Sequence, residues 1–215
     1  EEREAFINIF VDISKSMDFG NPKKSTLALQ LAAAFSYLSL INMDRLCLNV
    51  LEGQSIKVSE VLGGRGQFDR AVSFLEGVEF DGLTNLHEAI KKKRFIGRGL
   101  SIIISDFFTN GDIEDLMKYL VYNKQEIILI NILSQEEENP EGGGSVKLKD
   151  VETGEEVDLE MTGFNLNRYE KALRDFKSNL QELSKKYGAI YINIISDSSM
   201  ERVLFEELIG KRIVK

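Results

Sequence analysis

The sequence predicts an α/β protein with a doubly wound, mostly parallel central sheet, one antiparallel edge strand and helices on both faces. Three observations support this fold class. Short apolar runs of strand length alternate with segments of helical periodicity throughout the 215 residues. The runs are almost continuously apolar, as expected for strands that helices cover on both faces. Only Glu52-Gly53-Gln54 separate two of these runs, so the strand at 55–61 must be antiparallel to its neighbour and lie at an edge.

The first half of the chain alternates strand and helix patterns. The apolar run 5–11 predicts a buried strand, and apolar residues spaced three and four apart over 23–42 predict the helix that follows. Ser25 or Thr26 can cap this helix or occupy its first turn. The elements predicted next are strands at 45–51 and 55–61, helices at 67–77 and 85–94, and a strand at 99–105. Gly63-Gly64-Arg65-Gly66 lacks the Lys-Ser/Thr of a phosphate-binding P-loop and is interpreted as a flexible connection.

The second half continues this alternation and adds an insertion. The predicted elements are a helix near 112–122, a strand at 126–133, a long amphipathic helix at 168–187 that ends at Gly188, a buried strand at 189–195 and a helix at 199–209. Residues 135–144 are interpreted as a polar, glycine-rich connection in which Glu136-Glu137-Glu138 forms a solvated loop. The segment at about 144–162 predicts an inserted β-hairpin, with Lys147 and Lys149 able to pair with acidic residues of the opposite strand.

Composition indicates a single globular domain over residues 1–215. Hydrophobic residues make up 43% of the chain, which is enough for a sizeable core. The net charge of −8 argues against a general binding surface for nucleic acid or anionic membranes. Cys47, the single cysteine, lies in an apolar run and cannot form an intramolecular disulfide. It is interpreted as a buried small apolar residue of a protein in a reducing compartment.

The sequence also predicts where the chain resides. No apolar stretch approaches the roughly 18–20 residues that cross a bilayer, and no signal peptide is visible. The chain begins at Glu1 without an initiator Met and enters a strand almost at once. We therefore expect a cytoplasmic domain that is a fragment of a longer protein, whose N-terminal part could carry a membrane anchor.

Acids and hydroxyls follow two of the predicted strands. Asp12, Ser14 and Ser16 come directly after the first strand at alternate positions, so their side chains can converge on one point. Asp106 directly follows the strand at 99–105. In open α/β sheets the carboxyl ends of the strands form the rim at which ligands bind. A carboxylate with hydroxyls, without imidazole or thiolate, suits a hard cation such as Mg²⁺.

Together with Gly82-Leu83-Thr84 in a mid-chain loop, these segments resemble the metal-ion-dependent adhesion site of von Willebrand factor A-type domains, also called integrin I-like domains. The resemblance covers about residues 5–133 and 168–209. It implies a Mg²⁺ site, in which Mn²⁺ or Ca²⁺ could substitute, and a protein partner whose Asp or Glu completes the coordination shell. The implied ligands are the hydroxyls of Ser14, Ser16 and Thr84 and the carboxylates of Asp12 and Asp106, bound directly or through water. Phe107 departs from the Asp-Gly found in many members at this point, which leaves the shape of the loop open.

A closer resemblance is carried by three segments, residues 12–24, Ile104-Ser105-Asp106-Phe107, and 148–155 ahead of the helix that contains Tyr169. They resemble the prokaryotic family called domain of unknown function fifty-eight, whose von Willebrand A-like members are often encoded beside MoxR-type AAA+ ATPases. The resemblance implies an adaptor or substrate-engaging partner of such an ATPase and not an enzyme. Members of this family commonly carry an N-terminal membrane segment.

The alternative function is a metal-dependent phosphoryl-transfer enzyme on a Rossmann-like sheet. A haloacid-dehalogenase-like phosphatase needs a second aspartate where this chain has Ser14, and a receiver-like phosphoacceptor needs a lysine directly after a later strand. His87, the single histidine, is interpreted as a helix or surface residue, because a zinc site needs further ligands. Lys91-Lys92-Lys93-Arg94 is interpreted as the solvated end of a helix.

Overall fold

A computed structural model describes residues 5–109, 111–140, 145–149, 156–160 and 163–203. Its strands are β1 (Phe6–Asp12), β2 (Arg45–Glu52), β3 (Ser55–Val58), β4 (Leu62–Gly63), β5 (Gly99–Ser105), β6 (Gln125–Leu133), β7 (Ser145–Lys149), β8 (Glu156–Glu160) and β9 (Ile190–Ile195). Its α-helices are α1 (Lys24–Ile41), α2 (Phe68–Glu76), α3 (Leu86–Lys91), α4 (Ile113–Tyr122), α5 (Gln135–Glu138), α6 (Gly163–Tyr187) and α7 (Met200–Arg202). Two short 3-10 helices span Lys15–Asp18 and Arg65–Gln67.

The central sheet has seven strands in the order β3-β2-β1-β5-β6-β9, with β4 also paired to β2. The strands from β2 to β9 in this order are parallel, whereas β3 and β4 pair antiparallel with β2. The chain passes from β1 to β2 on one side and then to β5 on the other, so the order reverses where β1 and β5 meet. The predicted fold class, with its antiparallel edge strand, is therefore confirmed. Ligands of such sheets bind outside the carboxyl ends of strands at this kind of reversal.

Apolar side chains fill two cores, one on each face of the sheet. Ile9 and Val11 pack on the face covered by α1 and α2, whereas Phe10 packs on the face covered by α3, α4 and α6. Burying each such side chain contributes roughly 1.5–3 kcal/mol, so both faces stabilise the fold. Because neighbouring strand residues point into different cores, the strands read as continuous apolar runs in the sequence.

Helix α1 is a core element of the domain. Among the described residues it is the one helix whose length and composition would allow it to cross a membrane, which corrects the expectation that no apolar stretch approaches this length. Ten of its residues are buried within the fold. Leu27, Leu31 and Phe35 pack in the core beneath the sheet. Ser25 and Thr26 occupy its first turn, and the N-cap residue is Lys23, which makes no side-chain capping bond.

Three segments differ from the sequence prediction. Residues 135–138 form α5 and not a solvated loop, because Ser134 and Glu137 make a reciprocal capping box. The glycine-rich segment expected to be flexible begins at the end of β4, where Gly63 pairs with Arg45 of β2, and continues into the second 3-10 helix. Helix α6 begins at Gly163, earlier than the predicted start at 168.

The basic run at the end of α3 is not uniformly solvated. Lys93 is buried, and its Nζ lies 2.9 Å from the Cys47 Sγ. Cys47 is buried, as predicted. His87 lies in α3 but is also buried. Helix α3 packs against β2 and β3, which brings Lys93, just after the helix, close to Cys47 of β2.

The inserted segment forms a separate two-stranded sheet in which β7 and β8 pair antiparallel. Lys147 lies opposite Asp158 in this pairing, as predicted for the hairpin. The predicted connection at 150–155 lies outside the described residues, as do the part of the last predicted helix at 204–209 and the ends of the insertion at 144 and 161–162.

Candidate metal centre

Three loops at the carboxyl edge of the sheet are joined by hydrogen bonds. The Lys15 N–H donates to the Gly82 carbonyl over 2.9 Å, which ties the loop after β1 to the loop before α3. The Thr109 hydroxyl donates to the Thr84 carbonyl over 2.9 Å, which ties that loop to the one after β5. The two acids and three hydroxyls singled out in the sequence all lie on these loops or at their junctions with the strands.

Asp12 is held in one orientation at the end of β1. Its side chain is only 2% exposed. The Ser14 N–H donates to Oδ1 over 2.9 Å, and the Ser105 hydroxyl donates to Oδ2 over 2.6 Å. Ser105 is the last residue of β5, so this hydrogen bond joins the ends of the two neighbouring strands at the reversal of strand order.

Ser14 and Ser16 place their hydroxyls side by side. Their Oγ atoms are 3.1 Å apart, a distance that allows a hydrogen bond in either direction. The chain enters a 3-10 helix at Lys15, which turns it so that alternate hydroxyls remain neighbours. A hydroxyl that donates one hydrogen bond keeps lone pairs that can bind a cation.

Thr84 contributes the third hydroxyl from the loop before α3, where it is buried. Its Oγ1 lies 3.2 Å from the Leu51 carbonyl oxygen. The hydroxyl is also close enough to Asp12 to lower the pKa of that carboxyl by hydrogen bonding. Its single proton can serve one of these acceptors at a time, and its lone pairs remain free in both cases.

Asp106 is almost fully buried after β5, and both its oxygens have partners. Oδ1 accepts the Phe108 N–H over 3.1 Å, and Oδ2 accepts the Lys24 ammonium over 2.8 Å. The same ammonium lies 2.7 Å from Glu137 Oε1. Lys24 has no exposed side-chain surface, so a buried cation bridges the carboxylate at the rim and the capping box of α5.

The loop after Asp106 adopts a conformation that usually requires glycine. Phe107 has a φ of 56°, in the left-handed region. Its N–H donates to the Ser105 hydroxyl oxygen over 2.9 Å, and its ring is buried in the core on the α3 side. The departure from Asp-Gly therefore leaves a left-handed turn in place, and burial of the ring offsets a backbone cost of about 1–2 kcal/mol.

The electrostatics at Asp12 reveal an excess of buried negative charge. Burial, and after it the neighbouring Asp106 carboxylate, raise the pKa of the Asp12 carboxyl from 3.8 to about 6. The hydrogen bonds from Ser105 and from the Ser14 N–H oppose this shift, because they stabilise the ionised form. A cation placed between these two carboxylates would be attracted to both and would favour the ionised form of Asp12.

The donor set fits a hard divalent cation. The described residues contain no cluster of three or more His, Cys, Asp or Glu that could hold a metal. The candidate centre instead offers two carboxylates and three hydroxyls, which are oxygen donors of the kind that Mg²⁺ and Mn²⁺ accept alongside waters. A cation in such a site would have only two anionic ligands from this chain.

Sequence reasoning missed Lys24 and Glu137 as neighbours of this centre. A signal existed for Lys24, because it is the first residue of α1 and a cation there opposes the helix dipole. A lysine in that position calls for a compensating anion. For Glu137, the spacing Ser134-x-x-Glu137 is the sequence pattern of a capping box.

Comparison with solved structures supports the fold. The chain is similar to the BatB protein of Bacteroides thetaiotaomicron, with 16% identity, coverage of 97% of this chain and 98% of that one, and a TM-score of 0.60. An aerotolerance-related membrane protein from Bacteroides fragilis, solved with multiple mutations to serine, has 16% identity, 96% and 99% coverage and a TM-score of 0.56. The SpRpn10 VWA domain has 14% identity, 95% coverage of both chains and a TM-score of 0.52. At this level of identity the comparisons show a shared von Willebrand A-like fold.

Sequence comparison gives the family. No curated protein matches the sequence. The family model for DUF58, described as a protein of unknown function, matches residues 1–179, which is most of the chain. The chain therefore belongs to the DUF58 family, and its fold is von Willebrand A-like.

Proposed function

We propose that this protein is a metal-dependent protein-interaction module and not an enzyme. In this proposal Asp12, Ser14, Ser16, Thr84 and Asp106 hold a Mg²⁺ ion, directly or through water. An Asp or Glu of a partner protein completes the coordination shell. The observation that carries the proposal is the convergence of two buried acids and three hydroxyls from three loops at the rim where the strand order reverses. The excess negative charge at Asp12 and Asp106 gives a cation a reason to bind there.

Exposed apolar side chains on the same loops support a role in binding a partner. Phe19 is 42% exposed, Leu83 is 44% exposed and Phe108 is 37% exposed. Phe19 follows the Ser16 loop, Leu83 directly precedes Thr84, and Phe108 lies two residues after Asp106. We call these three residues the apolar collar. Large apolar side chains, and aromatic ones in particular, are enriched in the buried part of protein interfaces, so a partner that contacts the collar would exclude water from the site.

The family and one of the similar structures support a proposal for the partner class and the location of the domain. We propose a MoxR-type AAA+ ATPase as the partner, because members of the family that the chain belongs to are often encoded beside such ATPases. One structurally similar protein is an aerotolerance-related membrane protein. We extend the proposal to a cytoplasmic domain that a longer protein holds at a membrane.

One observation favours the alternative, a metal-dependent phosphoryl-transfer enzyme. Such enzymes combine acids with a lysine, and the Lys24 ammonium lies 2.8 Å from Asp106 Oδ2. However, Lys24 is completely buried and shared with Glu137, so a phosphoryl group could reach it only by displacing a carboxylate. Ser14 stands where a phosphatase would carry its acid/base aspartate. Incubation with acetyl phosphate or p-nitrophenyl phosphate and Mg²⁺ is expected to yield no phosphoprotein and no turnover.

Isothermal titration with Mg²⁺ and Mn²⁺ tests the proposed function. The wild type is expected to show saturable binding that is lost in Asp12→Ala. Asp115→Ala is the matched control, because it removes an exposed acid that pairs with Lys118 on α4. Absence of saturable binding to the wild type, or equal binding by Asp12→Ala, would overturn the proposal. Circular dichroism of each variant ensures that a loss of binding is not a loss of fold.

A further inference from the structure

Lys24 is in an unusual place for a lysine. It is the first residue of α1, where the positive end of the helix dipole opposes a cation, and its side chain has no exposed surface. A buried ammonium is costly unless it is paired with anions and hydrogen-bonded. The carboxylates of Asp106 and Glu137 supply that pairing at 2.8 Å and 2.7 Å, and the Phe108 ring lies 5.6 Å from Nζ.

The ammonium and the candidate metal share one carboxylate. Asp106 Oδ2 accepts from Lys24, while Oδ1 accepts from the Phe108 N–H, so both oxygens of this acid already have partners. A divalent cation held with the help of Asp106 would therefore lie on the same carboxylate as a positive charge. Like charges that share an anion in a buried site repel one another, and each weakens the hold of the other.

We propose that Lys24 is an internal cation that opposes metal binding and keeps the affinity of the candidate metal centre low. Glu137 limits this effect, because its carboxylate partly neutralises the ammonium that contacts Asp106. A metal that is weakly held by the chain alone gains most from the carboxylate of a partner, so Lys24 makes occupancy depend on the partner. This inference rests on the proposed function, because it assumes that the centre binds a cation.

Titration of Mn²⁺ into a set of charge variants tests the role of Lys24. Lys24→Met is expected to tighten Mn²⁺ binding on the order of tenfold, because it removes the opposing charge. Glu137→Gln is expected to weaken binding several-fold, since the ammonium then acts on Asp106 alone, while Gln preserves the capping box. Lys24→Arg keeps the charge and is expected to bind Mn²⁺ within about threefold of the wild type. Lys118→Met, which removes an exposed lysine on α4, is the control and should leave the affinity unchanged.

Opposite shifts in Lys24→Met and Glu137→Gln are the signature of a charge effect, because a merely structural role would move both in the same direction. Unchanged affinity in both, or weaker binding in both, overturns the inference while the proposed function stands. If Lys24→Met fails to fold, Glu137→Gln and Lys24→Arg still test the inference. It requires Mn²⁺ binding to be weaker than in the wild type in Glu137→Gln and close to the wild type in Lys24→Arg. No Mn²⁺ binding by the wild type or by any variant would overturn the proposed function together with the inference.

Discussion

Asp12 and Ser105 join the ends of β1 and β5 through a 2.6 Å hydrogen bond from the Ser105 hydroxyl to Asp12 Oδ2. These strands are neighbours in the sheet but lie far apart in the chain. The same hydroxyl oxygen accepts the Phe107 N–H, so Ser105 also shapes the loop that carries Asp106. The two acids of the candidate centre are thus positioned by one hydroxyl, which stabilises the ionised form of Asp12 against the opposing effect of burial.

The raised pKa of Asp12 predicts how stability depends on pH. Without metal, the folded protein has a pKa of about 6 at Asp12, above the ordinary value of 3.8, because of burial and the Asp106 carboxylate. The folded state therefore binds this proton more tightly than the unfolded state, so Asp12 destabilises the fold above pH 6. As the pH falls from 6 towards 3.8, the stability contributed by this group rises, by an amount on the order of 1–3 kcal/mol.

Urea unfolding in EDTA between pH 4 and 8 measures this effect. Asp12→Asn is the control, because it keeps the size of the side chain and removes the titration. As the pH falls, the unfolding free energy of the wild type is expected to rise relative to that of Asp12→Asn. A difference that stays constant across this range would contradict the raised pKa.

Gly20 and Gly82 offer a matched pair for testing how tightly the rim loops pack. Gly20 has a φ of 94°, and a Cβ added there would lie 2.5 Å from the Ser134 Cβ. Gly82 has a φ of 68°, but a Cβ added there meets nothing within 4 Å. Gly82→Ala is expected to cost about 1–2 kcal/mol for the left-handed backbone alone. Gly20→Ala is expected to cost about 1–3 kcal/mol more, because it also forces overpacking against the cap of α5.

Chemical denaturation of the two variants beside the wild type gives this comparison. A larger loss in Gly20→Ala would establish that the loop after Ser16 presses on Ser134, the residue that caps the helix bearing Glu137. Equal losses would mean that the two loops separate easily and that only backbone strain matters.

The sequence predicts the sheet well and the polar neighbours of the site poorly, for a physical reason. Strands such as β5 are mostly apolar, so composition and length identify them without knowledge of the strands they pair with. The rim residues Asp12 and Asp106 are also predictable, because Asp12 ends β1 and Asp106 directly follows β5. The pairing of Lys24 with Glu137 is not, since it joins residues 113 positions apart, and only the fold brings them together. Local sequence patterns single out Lys24 and the Ser134-x-x-Glu137 motif separately. They do not reveal that Lys24 pairs with Glu137.

The contribution of Thr84 to the metal centre can be tested with two substitutions. Thr84→Val removes the hydroxyl at nearly constant volume, whereas Thr84→Ser keeps it. We expect Thr84→Val to weaken Mn²⁺ binding on the order of tenfold, because it removes a hydroxyl that holds the cation directly or through water, and Thr84→Ser to stay near the wild type. Ser14→Ala combined with Ser16→Ala is expected to abolish binding while the fold persists, because both residues lie outside the apolar cores and Ser14 makes no side-chain capping bond to the 3-10 helix. Global unfolding of that double variant would instead indicate that the hydroxyls serve a structural cap.

The apolar collar predicts which acidic segments the centre accepts. A carboxylate that reaches the cation brings its neighbouring residues against Phe19, Leu83 and Phe108, so apolar neighbours would bury surface there. Peptides selected from a library with one fixed Asp or Glu, in Mg²⁺ and not in EDTA, are expected to carry large apolar residues beside the acid. Phe19→Ser and Leu83→Ser should weaken binding of the selected peptides by up to about tenfold each, since each truncation removes apolar surface whose burial contributes about 1–1.5 kcal/mol.

Tyr122→Ser is the matched control for the collar. Tyr122 is 84% exposed and more accessible than any collar residue, but it ends α4 directly before β6 begins, at the opposite edge of the sheet. Fluorescence anisotropy of a selected peptide should therefore give the same affinity for Tyr122→Ser and the wild type. If Tyr122→Ser weakened binding as much as Leu83→Ser does, the peptides would be adhering to exposed apolar surface in general. If the peptides selected in Mg²⁺ lacked apolar residues beside the acid, the cation alone would determine binding. The apolar collar would then have no part in recognition.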